Sequence, residues 1–184
     1  MVEDAELELA MTFGDIARTL VAEEDAHATL RRIVRLAVDS IDACEHCGVF
    51  VAQGRTVGSL AASDAVPTIV DTLQAETGEG PCVDAIQVHE VFQTGRLSRE
   101  TRWPNFAQRA SRESGVESIL SFRLFIEEDT MGSLNLYSAQ VDAFDQHDVA
   151  FVAVLAAHAA VAWSTARVID NLRKGLKTRE MIGE

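Results

Sequence analysis

Three groups of residues in this 184-residue chain have the types and spacing to do chemistry. The first is Gly78-Glu79-Gly80-Pro81-Cys82-Val83-Asp84, a glycine-flanked turn that carries a proline and a cysteine. A thiol exposed on such a turn, with backbone N–H groups converging on it, would have a lowered pKa and act as a nucleophile. That chemistry needs a resolving thiol, and Cys44 or Cys47 would have to supply it. A cysteine buried under the same turn is instead a small apolar wall, and this is the reading adopted for Cys82. The second group, Cys44-Glu45-His46-Cys47, has metal-like or redox-like spacing. No second Cys/His pair completes a tetrahedral set, so it is read as a helix-to-strand connection, with no metal and no cofactor expected.

The third group lies on two strands. Residues 119–126 and 131–138 alternate as strands do, joined by the acidic turn Glu127-Glu128-Asp129-Thr130. Successive residues of a strand point to opposite faces, so Leu120, Phe122, Leu124, Leu134 and Leu136 form one apolar set. The other set is Ser121, Arg123 and Phe125 with Ser133, Asn135 and Tyr137. Hydroxyls, an amide, a guanidinium and two rings on one face suit a small-molecule pocket; they equally suit a face that merely bonds its covering loops. A face filled solidly by side chains would favour the second reading. His158 is read as a core or interface histidine, and no hydrolase triad, P-loop or nucleotide glycine fingerprint is present.

The elements that position these groups follow from periodicity. Leu9, Phe13, Ile16 and Leu20 mark an amphipathic helix; Asp25 is placed to cap a second, striped by Ala26, Leu30, Ile33, Ala37 and Ile41. Residues 48–53 and 56–62 read as a hairpin about Gly54-Arg55. Residues 66–77 return to a helix with Ile69, Val70 and Leu73 inward, ended by Gly78. Val91-Phe92 is a brief strand, and Phe106, Ala107 and Ala110 a covering helix closed by Gly115. Asp145, with Asp148 as a capping pair, opens the longest helix, running to about Lys174. Its stripe of Leu155, Ala159, Ala162, Ala166, Ile169, Leu172 and Leu176 keeps near-heptad spacing past the domain edge, so a second copy of the chain is its expected partner.

Composition sets the outer bounds. With 47% hydrophobic and 24% charged residues, the chain has the core of one ordinary domain with helical extensions. A net charge of -13 opposes a nucleic-acid surface, since gripping a polyanion takes a dense basic field. Five basic residues among 165–184 are too few to change that. No stretch is read as crossing a membrane, and the acidic start is unlike a signal peptide, so the expected location is cytoplasmic with reduced thiols.

Taken together, the order of elements resembles the GAF domain, a small-molecule-sensing relative of the PAS fold. Gly78-Glu79-Gly80-Pro81-Cys82, Arg102-Trp103-Pro104-x-Phe106, Ser121-Phe122-Arg123-Leu124-Phe125, Gly132-Ser133-Leu134-Asn135-Leu136-Tyr137 and Leu155-Ala156-x-His158-Ala159-Ala160-Val161-Ala162 are similar to GAF domains of actinobacterial GAF-ANTAR regulators. The resemblance implies an ANTAR output module that binds RNA hairpins in transcription antitermination; residues 176–184 resemble its beginning, and RNA binding is not carried over to the residues present. Cyclic-nucleotide binders of the wider superfamily carry an Asn-Lys, a later Phe and an Asp-Glu. Asn135, Phe144 and Asp148 match three of these, but Leu136 and Val149 replace the lysine and glutamate, so cyclic nucleotides are not expected.

The expected architecture is α+β: a GAF/PAS-like central antiparallel sheet with the N-terminal and long C-terminal helices on one face and a covering loop and helix region on the other. Residues 1–22 are a dimerisation helix, 23–168 the sensor domain and 169–184 a helical linker. The ligand is unidentified, and its expected contacts are Glu79, Cys82, Trp103, Ser121, Arg123, Phe125, Ser133, Asn135 and Tyr137. The expected function is non-enzymatic sensing. Its alternatives are a thiol enzyme of the free methionine sulfoxide reductase type using Cys82, by analogy with a reactive cysteine in a comparable turn of that fold, and a ligand-free dimerisation scaffold.

Overall fold

The structure, a computed structural model, describes Gly14, Arg18 and residues 26–182 apart from 54–55, 88–90 and 128–129. The helix expected before residue 22, the Asp25 cap, the Gly54-Arg55 turn and the centre of the acidic turn lie outside the described residues.

Helix α1 (Ala26–Ser40) leads into β1 (His46–Gln53) and β2 (Thr56–Ala62), then α2 (Ala65–Thr77) and α3 (Pro81–Gln87). Strand β3 (Val91–Thr94), a 3-10 turn at Leu97–Arg99, α4 (Ala107–Ser114), β4 (Ser118–Glu127), β5 (Thr130–Ser138) and α5 (Gln146–Ile182) complete the chain. The strands form one antiparallel sheet in the order β2-β1-β5-β4-β3. This is the expected α+β architecture.

The two faces divide as the alternation predicts. Leu120, Phe122, Leu124, Leu134 and Leu136 pack with Leu30, Ile33, Val34 and Ala37 of α1 and with Val152, Leu155 and Ala159 of α5. The opposite face is covered by α2, α3 and α4. Glycine at position 48 lets α2 come close: a Cβ there would stand 2.8 Å from the Cβ of Pro67.

Local signals set most boundaries. Asp64 caps α2 by accepting from the Val66 N–H at 2.8 Å, and Gly78 ends it in the left-handed region at φ 67°. Asp145 Oδ1 accepts from the N–H groups of His147 and Asp148, while Asp148 Oδ2 accepts from the Asp145 N–H. That reciprocal box opens α5. Asp148 is thus a helix cap rather than part of a nucleotide site.

Several expectations need correction. Residues 81–87 form a short helix, not an open turn, because Pro81 with its fixed φ starts it. Helix α2 turns Val70, Asp71, Leu73 and Gln74 inward and leaves Ile69 36% exposed, since the sheet face it meets is polar. Residues 149–166 contain no Asp, Glu, Lys or Arg, and Gln146–Ile169 is long and apolar enough to cross a membrane by length and composition, contrary to the reading above. Its small alanines dilute the signal. Here one side of it is a core element, with Phe151, Val152, Leu155, Ala156, Ala159 and Trp163 buried against the sheet and α1.

The rest of α5 faces outward. At 37 residues it is about 55 Å long. Leu155 and Ala159 belong to the core, while Val161, Val168, Ile169 and Leu172 are exposed. The free stripe is therefore Val161, Val168 and Leu172 with Ile169 beside it, rotated from the one expected.

Candidate functional site

On the covered face, β5 supplies Ser133, Asn135 and Tyr137, and β4 supplies Ser121 opposite Asn135 and Arg123 opposite Ser133. On the other side of β5, β1 sets Gly48 opposite Asn135 and Phe50 opposite Ser133. Ser121, Ser133, Asn135 and Tyr137 are all buried, so in this structure the face is closed over by its covering elements, the arrangement that weighs toward a face bonding its cover. Arg123 is half-buried, and the Phe125 side chain lies outside the described residues.

Helices α2 and α3 place three side chains on this floor. Gln74 forms a double link with Cys82: its Nε2 donates to the Cys82 Sγ and its Oε1 accepts from the Cys82 N–H, each at 2.9 Å. The Cys82 Sγ then lies 3.7 Å from the Ser121 hydroxyl and 3.8 Å from that of Tyr137. Tyr137 donates to Asp71 Oδ1 at 3.2 Å, and Ser59 of β2 donates to Asp71 Oδ2. Phe50, Ala52, Cys82 and Val83 add an apolar wall.

Burial governs the electrostatics. It pushes the Asp71 carboxyl up to about 7, against the pull of the Ser59 and Tyr137 hydroxyls. It also pushes the Cys82 thiol up to about 12, helped by the charge of Asp71, and raises Tyr137 well above its ordinary value. At pH 7 Cys82 is then a thiol and not a thiolate. The folded protein should therefore leave Cys82 unlabelled by iodoacetamide over hours, with mass spectrometry finding the adduct only after denaturation; prompt native labelling would contradict this seating.

The remaining expected contacts have other duties. Glu79 accepts from the Asn105 N–H at 2.8 Å, from Asn105 Nδ2 at 2.6 Å and from the Phe106 N–H, pinning the start of α4. The Trp103 indole donates to Asp84 Oδ2 at 2.8 Å, with Phe106 edge-on to it and the Arg102 guanidinium 4.6 Å above its ring. Both brace the roof and neither is bonded to the cluster around Cys82. Cys44 and Cys47 are buried, free thiols at the join of α1 and β1, and His46 Nδ1 lies 2.7 Å from Asp64. Burial, and next the hydrogen bond with Cys44, hold the Cys47 pKa well above its usual value. His158 Nδ1 sits 2.9 Å from the carbonyl of Val154 in its own helix. An open groove of about 510 Å³, lined by Ala65, Ile69, Leu73 and Arg109 among others, lies between α2 and α4 rather than over Cys82.

Sequence reasoning missed Asp71, Gln74 and Ser59. The only signal was position: Asp71 and Gln74 lie one and four residues after Val70, on the face that Val70 and Leu73 turn inward.

A polar patch on an antiparallel sheet, closed over by short helices and backed by two longer ones, defines an α+β layout. The chain belongs to the GAF domain family, whose model matches residues 23–164. No curated protein matches it. Similar solved structures include the GAF domain of a phosphoenolpyruvate-protein phosphotransferase from Acinetobacter, at 16% identity and TM-score 0.67, covering 89% of this chain and 95% of that one. Free methionine-R-sulfoxide reductase from Neisseria meningitidis, in complex with its substrate, is similar at 16% identity and TM-score 0.66, covering 84% and 87%. The reduced form of the Staphylococcus aureus counterpart gives 13% identity and TM-score 0.66, covering 84% and 94%. At these identities the likeness is one of fold.

Proposed function

We propose that this GAF domain is a regulatory sensor that takes a small molecule on the β4–β5 polar face and passes its state along α5 to a second copy and an output module. The observation that carries this reading is α5 itself. One stretch of it packs on the back of the strands that hold the polar cluster, and the same helix continues outward with Val161, Val168 and Leu172 exposed at spacings of a heptad seam. A ligand that prefers one arrangement of the sheet biases how two such helices pack, which is all that coupling requires. The resemblance of residues 176–184 to the start of an ANTAR module makes RNA-level antitermination the proposed output.

Light scattering during gel filtration tests the helical joint. The protein is expected to elute as a dimer, and Val168→Glu with Leu172→Glu as a folded monomer, because two carboxylates cannot be buried in an apolar seam without a large penalty. A parent that stays monomeric at high concentration defeats the dimer. Native mass spectrometry of protein purified from its own host tests the ligand.

The likeness to methionine-R-sulfoxide reductases favours a second reading, thiol chemistry at Cys82. The burial and raised pKa of Cys82 weigh against it. NADPH-coupled reduction of free methionine-R-sulfoxide, with Cys82→Ser as control, separates the two.

A further inference from the structure

Asn135 is wholly buried, yet neither its Oδ1 nor its Nδ2 has a hydrogen-bond partner, and the Ser133 hydroxyl two residues earlier on the same face is also unpartnered. Neighbouring groups are committed elsewhere: Gln74 to Cys82, and Tyr137 and Ser59 to Asp71. Buried polar atoms left unpaired lower stability, so a protein that keeps three of them side by side normally satisfies them with a molecule that is not part of the chain.

Resting on the sensor role above, we propose that Asn135 and Ser133 read a neutral ligand through a group that carries a hydrogen-bond donor beside an acceptor, as an amide, lactam or ureide edge does. The two free ends of the Asn135 amide make opposite demands, since Oδ1 needs a donor and Nδ2 an acceptor. Because both are free, the demand is the same whichever way the amide is turned. A carboxylate or phosphate satisfies Nδ2 and leaves Oδ1 stranded; an ammonium does the reverse. A cis-amide edge meets both at once. Ser133, which can donate or accept, takes a second polar atom of the same ligand, and Phe50 and Cys82 offer the apolar wall for its body. Negative charge is further disfavoured by the Asp71 carboxyl on this face. Helix α3 lies over the cluster through the Gln74–Cys82 link, so the ligand enters by displacing it.

The test is an NMR titration of 15N-labelled protein, following the Asn135 side-chain NH₂ signals. The probes are 2-pyrrolidinone, sodium propionate and propylammonium chloride at matched concentrations. The lactam is expected to shift both signals saturably, with each charged probe at least about tenfold weaker, the equivalent of one lost hydrogen bond. Ser133→Ala should weaken the lactam severalfold, and in Asn135→Leu, which lacks the reporter NH₂, the lactam should no longer shift the backbone amides of β4 and β5 that it shifts in the parent, each variant giving a dispersed spectrum as proof of folding. If Asn135→Leu does not fold, the Ser133→Ala titration decides alone. Propionate or propylammonium binding as tightly as the lactam overturns the ligand class and leaves the sensor role standing. If no probe moves the signals and the NH₂ protons show cross-relaxation with a long-lived water, the pair holds an ordered water only, and the sensor reading loses this site as well.

Discussion

Asp71→Asn should raise the melting temperature at pH 8, and the parent should lose stability as pH rises from 5 to 8. The carboxyl titrates near 3.8 in the unfolded chain and near 7 when folded. Between those values the folded state holds a proton that the unfolded state lacks, so folding is favoured at the acidic end and the advantage fades as pH climbs. The full difference is on the order of 4 kcal/mol, most of it lost between pH 4 and 7. An asparagine keeps the shape, accepts from one of the two hydroxyls through its oxygen, donates its NH₂ to the oxygen of the other, and cannot ionise. Thermal melts of both proteins across pH 4–8 should therefore diverge upward in pH and converge only towards pH 4, near the unfolded value of 3.8. A variant that melts lower than the parent at pH 8 would mean that the ionised carboxylate is required by the fold.

Gly80→Ala should destabilise the domain by about 2–4 kcal/mol and bring Cys82 within reach of alkylating reagents. Gly80 has a φ of 136°, a region that side chains rarely enter, and strain of this type is worth about 1–3 kcal/mol. The added methyl would also stand 2.3 Å from Gln74 Oε1. Gln74 must then move, and both of its links to Cys82 go with it. Chemical denaturation measures the first effect and timed iodoacetamide labelling below the transition the second. Gly78→Ala is the matched control: its φ of 67° brings strain, but its Cβ would meet nothing within 4 Å. Rapid labelling in Gly78→Ala as well would show that helix strain alone, and not the Gln74 link, governs access to Cys82.

Much of this was legible in the sequence because the signals were strong and local. Alternation over residues 119–138 placed Leu120, Leu134 and Leu136 on the helix-covered face, and Ser121, Asn135 and Tyr137 on the other. Gly78, Gly115 and the Asp145–Asp148 pair marked helix ends by backbone chemistry that few other residues provide. What escaped was polar burial. Reading Ile69 as inward and passing over Asp71 follows from hydrophobicity, and it fails because the partner surface of α2 is itself polar and satisfies the carboxyl. Helix α3 escaped because seven residues make less than two full turns and show no period. Glu79 and Trp103 were expected as ligand contacts; the partners they have in the structure, Asn105 and Asp84, are set by tertiary contact alone.

The strand order also bears on how the chain reaches this state. The β1–β2 and β4–β5 hairpins close locally, whereas the central β1–β5 seam joins Phe50 to Ser133. Closing a loop of about 80 residues is entropically dearer than closing a short hairpin connection by about 3 kcal/mol, so that seam is expected to form after the hairpins, an order that pulsed hydrogen exchange during refolding checks. The sheet surface on which α1 and α5 dock is continuous only once β1 and β5 have met. The two hairpins are local in sequence, and α5 has a continuous seat only where they join.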